Sequence, residues 1–83
     1  MRFDVALFEL RLFKSRSQAS VAIQDGAALL NEQVVKPSHG LSPGDRVTLV
    51  SPGGRRTLEV LELPHGSLSK EAARALVREL GVG

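Results

Sequence analysis

The sequence predicts a small α+β domain: two short N-terminal helices packed on a small, mainly antiparallel β-sheet, with a C-terminal amphipathic helix. Three observations carry that prediction. Apolar residues recur every three or four positions near both ends of the chain, the spacing of helices with one buried face. Between them, over residues 27–63, apolar and polar residues alternate in short runs separated by Gly, Pro, Asn and Asp, as in strands joined by turns. No repeat, linker or low-complexity tract interrupts the 83 residues, so a single domain over 1–83 is expected.

The first helix is expected at about residues 2–12, where Phe3, Ala6, Leu7, Leu10 and Phe13 fall on one stripe. The second spans about 16–25. Ser15 with Gln18 fits a capping box, the hydroxyl accepting an orphan backbone N–H while Gln18 reaches back. Ala19, Ala22 and Ile23 form its buried face, and Gly26 stands where a left-handed cap is expected. Residues 27–30 and 33–36 read as a hairpin around Asn31-Glu32, because Asn tolerates the positive φ of a two-residue turn. Glu32 occupies the place usually taken by Gly.

Pro43-Gly44-Asp45 marks a turn before a strand over 46–50, in which Val47 and Leu49 alternate with Arg46 and Thr48. After the turn at 51–54, a second strand runs over about 56–63, with Leu58 and Val60 on one face. Leu68, Ala72, Leu76 and Leu80, with Ala73 and Val77, make the stripe of a last helix ending at Gly81.

Composition narrows the function. A chain this short buries only roughly 60% of its unfolded surface, which leaves little room for both a core and a deep catalytic cleft. There are no Cys, hence no disulfide framework and no thiolate chemistry. His39 and His65 sit in separate loops and read as solvated. The acids are scattered, Ser15 has no visible His/Asp partner, and no glycine motif cradles phosphate. The expectation is a non-enzymatic, cytoplasmic protein with no cofactor, no metal, no membrane segment and no small-molecule substrate.

The net charge is only +2, but it is unevenly distributed. Residues 1–56 hold eight Lys/Arg against five acids, and 57–83 hold three against four. Between Glu9 and Asp25 every charge is positive: Arg11, Lys14 and Arg16. Such a local focus attracts phosphate, whereas dispersed charge mainly confers solubility.

In order and spacing, Arg2-Phe3-Asp4, Arg11, Ser15-Arg16, Ala19, Ile23, Gly26, Asn31 and Gly44-Asp45 resemble the RNA-binding domain named after ribosomal protein S-four. The core motif covers about 2–50. The extra strand and C-terminal helix, about 55–81, resemble the short stand-alone members, among them a small ribosome-associated heat-shock protein and factors of ribosome quality control. The resemblance implies non-catalytic docking of structured RNA, rRNA or tRNA, through the first two helices and the following hairpin. For the stand-alone members it further implies binding to large ribosomal subunits in the rescue of stalled translation.

Carried onto this chain, the expected RNA contacts are Arg2, Arg11, Lys14, Ser15, Arg16, Gln18 and Lys36. The start of the second helix offers exposed N–H groups and the Ser15 hydroxyl to a phosphate. Asp4 reads as a structural acid at a helix N-terminus, and Arg55 and Arg56 as mostly solvated. Val5 stands where the family has a basic residue, Ala28 replaces its usual Val, and Glu32 is expected to weaken the RNA face. With no Trp or Tyr, and with Phe3 and Phe13 read as buried, no stacking platform is expected. The surface should then read helical RNA by backbone and shape, with a logarithmic salt slope of roughly −2 to −4. The rival reading is a protein-interaction adaptor docking through its C-terminal amphipathic helix.

Overall fold

The computed structural model describes residues 1–66 and 68–82. The elements follow in the order α1 (Phe3–Glu9), α2 (Arg16–Gln24), β1 (Ala28–Leu30), β2 (Arg46–Ser51), β3 (Gly54–Val60), α3 (Lys70–Arg74) and β4 (Val77–Val82). The four strands form one antiparallel sheet in the order β1-β2-β3-β4. One face of the sheet packs on α1 and α2, with Phe3, Leu7, Ile23, Val47 and Val60 wholly buried between them. The α+β class is as expected.

Local chemistry sets the two N-terminal helices. Ser15 Oγ accepts from Gln18 N at 3.1 Å, the first half of the capping box; no return bond from the Gln18 side chain forms among the described residues. At the other end of α2, Gly26 has φ 77°, and two bonds close the helix, Gly26 N to Ile23 O (3.2 Å) and Ala27 N to Ala22 O (2.8 Å). That paired pattern is a Schellman cap.

α1 begins differently. Its N-cap residue Arg2 makes no side-chain cap. The orphan N–H groups of Phe3 and Asp4 donate instead to the carbonyls of His39 (2.9 Å) and Pro37 (3.1 Å), satisfying donors that no residue of the helix itself can reach.

The Asn31-Glu32 turn forms, both residues lying in the left-handed region at φ 51° and 66°, with Leu30 and Gln33 exchanging two backbone bonds. The expected return strand at 33–36 does not. It is reduced to that single bridge, because the chain then leaves β1 to cap and flank α1, with Arg2 bridging Gly40 and Leu41 N bonding Met1 O at 2.7 Å. β1 pairs with β2 instead. Asn31 fixes that pairing: its Oδ1 accepts from Arg46 N and its Nδ2 donates to Asp45 Oδ1.

The C-terminal region is corrected more substantially. The helix expected over 68–80 lasts five residues, capped by Ser69 Oγ accepting from Ala72 N, and Val77–Val82 is a strand on the edge of β3. A spacing of four, as in Leu76 and Leu80, lies on one face in either conformation. Cross-strand charge favours the strand: Arg78 pairs with Glu59 at 2.6 Å and Arg56 with Glu79 at 2.8 Å. The continuous amphipathic helix on which an adaptor would rely is therefore not present. The strand expected over 56–63 begins earlier, at Gly54, and ends at Val60.

Candidate nucleic-acid interface

The basic residues between the first two helices are positioned by an abrupt reversal of the chain. Arg11 takes φ 63°, a conformation that L-residues adopt at a steric cost, and Arg11 N and Leu12 N bond back to Phe8 O and Leu7 O. The reversal sets Arg11, Lys14 and Arg16 on one outward corner, all exposed. Arg11 Nη1 then donates to Leu68 O at 3.1 Å, tying the corner to a segment 57 residues away.

Between corner and segment runs a groove of about 710 Å³. Phe8, Phe13, Lys14 and Arg16 line one wall, and Gly66, Leu68 and Lys70 the other. The Arg16 guanidinium lies over the Phe8 ring, its Cζ 5.9 Å from the centroid, within reach of a cation–π attraction. Among the described residues, none of Arg11, Lys14, Arg16 and Lys70 forms an ion pair. Glu9 is the one acid lining the groove, and its Oε1 is buried with no hydrogen-bond partner among the described residues.

Ser15 stands at the start of α2 between Lys14 and Arg16. Its Oγ lone pair is engaged by Gln18 N, while the hydroxyl proton has no acceptor among the described residues, and the first N–H groups of the helix have no intrahelical carbonyl to bond. Gln18 is exposed one turn further along, beside a shallow apolar depression formed with Phe13, Val21 and Ala22.

Arg2 and Lys36 fall elsewhere, at the opposite end of α1. Arg2 is committed to Asp4 through Nε (3.0 Å) and Nη2 (2.9 Å). This bidentate pair holds the nearly buried Asp4 carboxyl below the usual carboxylate range, since a guanidinium favours the ionised form. Lys36 is exposed near Pro37, whose carbonyl caps α1.

Sequence reasoning missed Lys70, which joins the corner only through the fold, and Phe8 and Phe13 as groove residues. Both rings are half-buried, with part of their surface left to the groove. Phe8 lies one position off the Phe3–Leu7 stripe, and that displacement was the available signal.

The sheet face carries cations of a different kind. Arg55 is paired with Glu32, whose carboxylate also accepts from the buried Thr48 hydroxyl. The hydroxyl of Thr48 and the charge of Arg55 hold the Glu32 carboxyl below its ordinary range. Glu32 is thus turned onto the sheet and neutralised there. Among the described residues no group of three or more His, Asp or Glu could hold a metal ion, and no helix is long and apolar enough to cross a membrane.

No curated protein matches the sequence. By structure, the chain is similar to Heat Shock Protein 15 of Vibrio cholerae, described as trimeric: the TM-score is 0.89 and the identity 28%, covering 96% of this chain and 81% of that one. By sequence, the S4 domain model matches residues 1–47, which hold α1, the basic corner, α2, β1 and the Asn31-Glu32 turn. The chain belongs to the S4 domain family of RNA-binding proteins.

Proposed function

We propose that this protein is a non-catalytic factor that docks structured RNA, rRNA or tRNA, on large ribosomal subunits during the rescue of stalled translation in the cytoplasm. The observation that carries the reading is the corner itself: Arg11, Lys14 and Arg16 project together, without acidic partners among the described residues, beside the N-terminus of α2. Unpaired cations release counterions when they meet phosphate and so supply affinity. Lys14 and Arg16 contact phosphates, Ser15 and the first N–H groups of α2 receive one, and Arg11 and Gln18 contact the RNA from either side. Arg2 and Lys36 make a separate, weaker contact, because the Arg2 charge is already shared with Asp4. The likeness to a heat shock protein over nearly the whole chain supports a stand-alone role of this kind.

Sedimentation of the tagged protein in lysate through sucrose gradients tests the reading. Comigration with large subunits at low salt, declining as salt rises, is expected. A protein that stays at the top of the gradient at every salt concentration would remove the ribosomal role.

A further inference from the structure

We infer that the groove between the α1–α2 corner and the 66–70 segment receives one unstacked nucleotide of the bound RNA, with Lys70 holding its backbone from the far wall. The inference rests on the RNA-docking reading and names what that site takes. A surface that met only duplex backbone would need cations and no depth. Here about 710 Å³ opens between the walls, enough for a base with its sugar and phosphate.

The lining is of mixed character, as a nucleotide requires. Phe8, Phe13 and Leu68 are apolar, and the Arg16 guanidinium lies over the Phe8 ring. Bases stack on aromatic rings and on guanidinium planes alike. Lys14 and Lys70 face the groove from opposite walls, so a strand entering it is flanked by charge on both sides.

Glu9 argues for a base rather than phosphate alone. Its side chain lines the groove, although one of its two oxygens, Oε1, is closed to solvent. A carboxylate repels phosphate, whereas base N–H groups and ribose hydroxyls can donate to it. The far wall lies beyond the residues that the family model matches, so the groove is an addition that the C-terminal region makes to the corner. Arg11, bonded to Leu68 O, fixes its width.

The test compares binding of a fully paired RNA duplex with that of the same duplex carrying one bulged nucleotide. The wild-type protein should prefer the bulged RNA by about tenfold, the order of one stacked base. Phe8→Leu, which keeps apolar bulk, should abolish the preference. Lys70→Ala, at an exposed position, should weaken only the bulged complex and lower its logarithmic salt slope by about one. Equal wild-type affinity for the two RNAs would overturn the inference while leaving RNA docking intact. So would a preference that survives Lys70→Ala, a variant that decides the matter even if Phe8→Leu unfolds. Binding to neither RNA would overturn the docking reading and this inference with it.

Discussion

The corner between the helices and the exposed part of the sheet each carry several arginines or lysines, yet they are electrostatically opposite. At the corner, Arg11, Lys14, Arg16 and Lys70 face solvent without an acidic partner among the described residues. On the sheet, three of the four arginines, Arg55, Arg56 and Arg78, each meet a carboxylate from another strand or turn, Glu32, Glu79 and Glu59, and exposed Arg46 on β2 alone forms no ion pair among the described residues. The first set keeps its charge for a ligand, and the second uses its charge to hold strands in register. Counting basic residues would rank the two regions as equals. Pairing separates them.

That contrast can be broken most directly at the corner. Lys14→Ala combined with Arg16→Ala should lower affinity for structured RNA by about tenfold or more and reduce the salt slope by about two. Both side chains are exposed, so the melting temperature should hardly move. Undiminished affinity would place the interface elsewhere.

Asp4→Asn addresses an intermediate case, an arginine that belongs to the proposed contacts but is paired. Loss of the ionised acceptor should cost about 1–2 kcal/mol of stability at neutral pH, read by urea denaturation. Because Arg2 holds the folded-state carboxyl below its unfolded value, this stabilisation is full above the ordinary carboxylate range. It is lost as pH falls through the lowered folded value. The difference between wild type and variant should therefore close in acid, and a difference independent of pH would assign the effect to packing.

The smallest effect is expected on the sheet. Arg55→Ala with Arg56→Ala should change RNA affinity by less than about threefold, since exposed and already paired charges contribute little. A loss equal to that of the corner variant would erase the distinction between the two regions.

What could be read from the sequence was what neighbours decide. Ser15 and Gly26 bound α2 through residues within its own turns, and Asn31 adopts its left-handed conformation by its own nature. Glu32 has no such intrinsic preference. Its side chain in the turn is met by Thr48 and Arg55, 16 and 23 residues away. The C-terminal stripe misled because a spacing of four serves helix and strand alike, and only pairing with β3 decides between them.

The cations of the first three positions of the corner were legible as a run without acids. Lys70 and the far wall were not, because it takes the fold to place Leu68 against Arg11. The same limit applied to the aromatic residues. Few rings in the composition did imply little stacking surface, but not that two of the three would border one groove.

The two N-terminal helices also differ in when they can form. α2 carries its own start and stop signals, so every bond that bounds it lies within residues 15–27. α1 borrows its start from the carbonyls of Pro37 and His39, more than thirty residues downstream. On a growing chain, the first turn of α1 can close through its local bond from Ala6 N to Arg2 O, but the N–H groups of Phe3 and Asp4 are left to water until that later stretch has been synthesised and has folded back. The helix made first is therefore the one capped second, while the bonds of the corner between the two, from Arg11 N and Leu12 N to Phe8 O and Leu7 O, are local and available from the start.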